Sequence, residues 1–122
     1  MFDLDKTKEA RSKKEYARLK KQIAGLDAKN KVLAEPLMQN VAFMKVTLED
    51  LQEEVNVYGT TEEYQNGQNQ SGFKQSAALQ AYNATVKNYN SCVKTLAQIL
   101  QQAGEAQGES LSELMAGLMN DE

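Results

Sequence analysis

Apolar residues recur along most of this chain at intervals of three and four, the spacing of one helix face. Leu33, Leu37, Val41, Met44, Leu48, Leu51, Val55 and Tyr58 are separated by 4, 4, 3, 4, 3, 4 and 3 residues. Such a run approximates a heptad seam. Pro36 costs least in the first helical turn, so the spacing predicts a regular helix from Glu35 or Pro36. Gly59 follows as the C-terminal stop. Leu79, Tyr82, Val86, Tyr89, Val93, Leu96 and Leu100 repeat the rhythm at 3, 4, 3, 4, 3 and 4, with Ile99 widening the face. Ser76 is the expected N-cap of this second helix and Gly104 its expected end. The two segments match in length and period, which predicts an antiparallel helical hairpin. Tyr82 and Tyr89 are expected to bury their rings and keep their hydroxyls at its edge.

The flanking segments carry weaker patterns. From Lys6 to Leu26 the chain is rich in good helix formers, but its stripe is only Tyr16, Leu19, Ile23 and Leu26. Gly25 and Asp27–Asn30 provide a turn. Between the seams, residues 59–75 are rich in Gly, Asn, Gln and Ser and read as a connector too long for a simple link, with either a short structure of its own or a binding role. Asn66–Gly67 marks a turn within it, and Tyr64 and Phe73 are expected to pin it to the helices. Past a Gly-rich linker, Ser110 and Glu113 form a capping-box pattern. Leu111, Leu114, Met115, Leu118 and Met119 then make one apolar face, which either docks on a partner protein or folds back on the hairpin.

The expected architecture is therefore all-α, in three parts. Residues 1–31 form a basic helical arm, 32–103 a hairpin core with its loop at 59–75, and 104–122 a linker and short amphipathic tail helix. Two full seams in a chain of 122 residues need more burial than one hairpin supplies, from the first helix, the tail or another copy, and self-association is the expected source.

Charge divides the chain more sharply than hydropathy does. Residues 1–31 hold ten positive and five negative charges, while 32–122 hold four positive and twelve negative. Lys6, Lys8, Arg11, Lys13, Lys14, Arg18, Lys20 and Lys21 fall within sixteen residues. On a helix Arg11, Lys14, Arg18 and Lys21 share a face, flanked by Lys13 and Lys20. These six residues can touch successive phosphates of a nucleic acid, which gives affinity with little preference for sequence. A solvated helix end that serves only solubility or assembly is the competing reading.

Composition removes most catalytic chemistry. With no His, imidazole-based triads, shuttles and metal sites are impossible within the chain. One cysteine, Cys92, excludes an intramolecular disulfide and sits in the second seam, where it reads as a core thiol. No glycine-rich phosphate loop occurs, and the acidic pairs Glu49/Asp50, Glu53/Glu54 and Glu62/Glu63 read as solvated surface. Neither a membrane-spanning run nor a signal peptide is expected. A non-enzymatic binding or assembly protein, without cofactor or metal, is what the residues describe.

One resemblance sharpens this. The helix ending in Gly59, the YQNG-x-NQ-x-G stretch at Tyr64–Gly72, the S-A-x-x-x-x-Y helix from Ser76 and the apolar cluster at Leu96–Leu100 resemble the terminase small subunits of tailed phages and prophages of Gram-positive bacteria. The likeness covers about residues 33–100. It implies an all-α protein that forms a ring in the cytoplasm of the bacterial host, binds double-stranded viral DNA and delivers it to the large terminase subunit. Many such proteins carry an N-terminal helix-turn-helix, whereas here one basic helix precedes Leu33. The alternative reading is a helical, oligomeric interaction protein of phage origin that binds a host or phage protein without nucleic acid.

Overall fold

The computed structural model describes residues 4–68, 70–107 and 116. Its elements in chain order are α1 (Leu4–Gln22), α2 (Ala28–Tyr58), β1 (Thr61–Gln65), β2 (Ser71–Gln75) and α3 (Ala77–Gln107). The molecule is mostly helical. The amphipathic segment expected at 110–119 lies outside the described residues, apart from residue 116.

α2 and α3 are each 31 residues long and pack antiparallel. At about 1.5 Å per residue each is a rod of roughly 46 Å. α2 begins earlier than its proline predicts. The Asp27 carboxylate accepts from the Asn30 N–H at 3.0 Å and caps the helix, while Pro36 lies inside it. Buried Ala34 and Met38 hold the turns on either side of the proline, so packing offsets the missing hydrogen bond. At the other end Gly59 stops α2 as expected, with φ of 89° and its N–H donating to the Val55 carbonyl at 2.7 Å. Ser76 caps α3 as expected, its Oγ accepting from the Leu79 N–H at 3.1 Å. Gly104 does not end α3; it is buried within the helix, which continues to Gln107.

The connector 59–75 has its own short structure, and that structure is a pair of strands, so the all-α expectation needs correction. β1 and β2 form an antiparallel ribbon in which Glu63 faces Phe73 and Tyr64 faces Gly72. Gly67, with φ of 82°, makes the turn, and the Ser76 N–H donates to the Thr60 carbonyl at 2.9 Å to close the base. Tyr64 does not pin the segment to the helices. Its ring lies on Gly72, where an added Cβ would meet the ring at 3.4 Å. The tyrosine thus supplies the apolar cover that its glycine partner lacks. Phe73 does not pin the segment either, being 76% exposed. Tyr64→Ala is therefore expected to fray the ribbon rather than the hairpin. The cross-strand pair contributes about 0.2–1 kcal/mol, so amide protection over 61–75 should fall while the melting temperature moves by less than about 5 °C.

The core lies where three helices meet. Leu19 and Ile23 of the first helical segment join Ala34, Met38, Val41 and Ala42 of α2 and Val93, Leu96, Ala97 and Leu100 of α3. α1 covers only this part of the hairpin. Beyond it, Met44, Leu48, Leu51, Val55, Leu79, Tyr82 and Val86 are half-buried, because two helices alone cannot enclose a seam. Leu33 and Tyr58, at the ends of the first seam, are exposed. Tyr82 and Tyr89 behave as expected, half-buried, with the Tyr82 hydroxyl accepting from Gln52 at 3.1 Å.

Candidate nucleic-acid interface

Leu19 and Ile23 fix the rotation of α1 by turning its apolar stripe into the core. The helical period then sends the basic residues to the remaining faces. Arg11, Lys14, Arg18 and Lys21 line one side of α1 as the sequence predicts, and α2 adds Lys45. Together with Glu15 and Glu49 they border an open cleft of about 670 Å³. Five cations against two carboxylates leave the cleft walls with a net charge of +3.

The six expected phosphate contacts separate into two groups. Arg11 and Arg18 are already engaged by carboxylates. Arg11 reaches across to α2, donating to Asp50 at 2.5 Å and to Glu49 at 3.0 Å. These hydrogen bonds, chiefly that to Asp50, raise the pKa of Arg11. Arg18 donates to Glu15 from Nε at 2.8 Å and from Nη2 at 2.9 Å. The remaining four point to solvent. Lys13, Lys14, Lys20 and Lys21 are exposed and surround Ala17, itself exposed, on the face of α1 opposite Leu19 and Ile23. Lys13 pairs with Glu9 at 3.0 Å, an exposed contact of little energetic weight. The surface offered to a polyanion is thus a flat patch of four lysines around a small side chain, which phosphates can approach closely.

Glu15 and Lys45 are the residues that reading the sequence missed. Glu15 accepts from Arg18 of its own helix and from Lys45 of α2 at 3.2 Å, and its side chain is 12% exposed. Burial alone would raise its pKa, but the hydrogen bonds from Arg18 and Lys45 and their charges outweigh it, so the carboxyl titrates below its usual range. Tyr89 of α3 lies beside this group, and burial first, then the Glu15 charge, raises its pKa. Lys45 is the sole basic residue between 32 and 73, a signal that a cation there has a specific partner.

This network docks α1 on α2, and its contribution depends on pH. A carboxyl whose folded pKa is depressed stabilises the fold above its unfolded pKa and loses that contribution as pH falls through the folded value. Glu15→Gln is expected to lower stability by about 1–3 kcal/mol at pH 7, because Arg18 and Lys45 lose a charged acceptor. Denaturant melts should show the difference between the two proteins shrinking as the pH drops below about 4.

Among the described residues no group of three or more His, Cys, Asp or Glu side chains is placed to hold a metal ion. No described helix is long and apolar enough to cross a membrane. Cys92 is a half-buried free thiol packed against the core. The partner-binding residues expected in the tail, Leu111, Leu114, Met115, Leu118 and Met119, lie outside the described residues. No protein-family model, curated protein or solved structure matches the chain.

Proposed function

We propose that the protein is a non-enzymatic DNA-binding component of viral DNA packaging, of the terminase small subunit kind. In this reading it self-assembles, contacts double-stranded DNA through α1 and presents bound DNA to the large terminase subunit in the cytoplasm of the bacterial host. The observation that carries it is the patch of Lys13, Lys14, Lys20 and Lys21, held outward by the burial of Leu19 and Ile23 on the opposite face. A lysine-only patch neutralises phosphates without reading base edges, so discrimination between DNA sequences is expected to be weak.

Titrating a labelled duplex at two salt concentrations tests this. With three or four phosphates neutralised per protomer, raising salt from 50 to 200 mM should cost about 40- to 150-fold in affinity. Salt-independent binding, or none at 50 mM, would refute the reading.

One observation favours the second reading, an interaction protein without nucleic acid. Arg11 and Arg18, at the centre of the basic helix, spend their charge on Asp50, Glu49 and Glu15. That use is structural, and the same titration separates the two readings.

A further inference from the structure

On the opposite side of α1 from the basic cleft lies a second groove, shared with α2. It has a volume of about 520 Å³ and is lined chiefly by Tyr16, Ala42, Phe43 and Ser12, with Lys8, Glu9 and Lys13 at its rim. Phe43 is half exposed, and Lys8 Nζ sits 4.3 Å from its ring centre. The Ser12 hydroxyl is buried without a hydrogen-bond partner. An apolar groove whose rim carries two cations, Lys8 and Lys13, against one carboxylate, Glu9, fits an apolar side chain carried beside an acidic one.

The opposite end of the same molecule carries that pair. Phe73, 76% exposed, projects from the ribbon beside its cross-strand neighbour Glu63. The two share one face of the ribbon, because directly paired residues do. On the other face Glu62 is matched by Lys74 at 3.5 Å, which leaves Glu63 as the charge beside Phe73. Exposed Val57 and Tyr58 lie at the ribbon's base.

We infer that Phe73 of one copy of this chain seats in the α1–α2 groove of the next, with Glu63 against Lys13 and Lys8. The ribbon does not reach the groove of its own chain. The ribbon springs from the end of α2, roughly 23 Å along the helix from Phe43, between the Gly59 and Ser76 caps. Knob and hole lie on different surfaces, so the contact is head-to-tail, and its repetition generates a ring or a filament. It takes Lys13 out of the lysine patch but leaves Lys14, Lys20 and Lys21, and with them the cleft lined by Lys14, Arg18 and Lys21, open in the assembly. The inference rests on the self-association in the proposed function and supplies its contact.

Light scattering on the full chain tests it. The unchanged protein should have a mass at least twice the 13.6 kDa of one chain at micromolar concentration. Phe73→Ser should reduce the particle to a single protomer while circular dichroism keeps its helical signal, because the side chain is largely exposed and lies outside the core of its own chain. Glu63→Lys and Lys13→Glu should each weaken assembly at least tenfold, and the two combined in one chain should restore it. A monomeric unchanged protein overturns both the contact and self-association. An assembled Phe73→Ser protein overturns the contact and leaves self-association standing through another face. Assembly that survives Phe73→Ser but changes on removal of residues 108–122 gives the groove to the chain's own tail and likewise overturns the contact. Duplex binding by monomeric Phe73→Ser at low salt keeps the DNA reading independent of either result.

Discussion

A chain carrying Leu96→Asp is expected to lose the three-helix core entirely. Leu96 is fully buried in α3, with Leu19, Ile23, Met38, Val41 and Leu100 in the same cluster. Truncating a buried leucine alone costs about 2–5 kcal/mol. A carboxylate at that position adds the cost of desolvating a charge, and no described cation belongs to the cluster. Against a total stability of about 5–15 kcal/mol for a small domain, the substitution removes most or all of it. Far-ultraviolet circular dichroism at 25 °C should show the loss of helix directly. Leu48→Asp and Val86→Asp are the contrast. Both sites are half-buried in the part of the hairpin that α1 leaves uncovered, so a charge there can reach water. Those chains should stay folded with lower melting temperatures. If Leu96→Asp melts no earlier than Leu48→Asp, the core does not lie where the three helices meet.

The same contrast shows which parts of the fold the sequence could disclose. Its period is local and was legible: both long helices, the Gly59 stop and the Ser76 cap follow from spacing and turn chemistry alone. The orientation of α2 was legible only in part. A heptad reading centred on Leu33, Leu37 and Met44 assumes one partner helix, whereas α2 has two. Contact with α1 draws Ala34, Met38, Ala42 and Val46 into the core and leaves Leu33 outside. Alanines carry little hydropathic signal, yet they mark where helices approach closely. The ribbon was hidden for a different reason. Strand alternation needs apolar residues to reveal it, and TEEYQ and SGFKQ offer one each. Asn66–Gly67 between them was the usable hint.

The candidate site divides along the same line. The helical period placed Arg11, Lys14, Arg18 and Lys21 together, and the structure does bring them to one cleft. What spacing cannot show is which of those charges finds a carboxylate. Glu49 and Asp50 lie 38 and 39 positions from Arg11, and only the docking of α1 on α2 brings them within reach. The paired acids that read as solvated surface therefore include two that hold the basic helix in place.

Reversing Lys14, Lys20 and Lys21 together to Glu is accordingly expected to abolish DNA binding without unfolding the protein. All three side chains are exposed on the outer face of α1. Arg18 is left alone, because changing it would release Glu15 and loosen the contact with Lys45, confusing a binding defect with a packing one. Each lysine that neutralises a phosphate releases nearly one counterion, so losing three contacts at 0.1 M salt should cost on the order of 10²–10³-fold in affinity. Three new carboxylates add repulsion, and in an assembly the deficit recurs in every copy. The salt dependence of any residual binding should flatten in parallel. A melting temperature within a few degrees of the unchanged protein is the control, since surface substitutions away from packed features seldom shift stability by more than about 0.5 kcal/mol. Unaltered affinity in the reversed protein would move the polyanion site off α1. The lysines would then serve solubility or assembly, and the reading as a helical interaction protein would gain what the DNA reading loses.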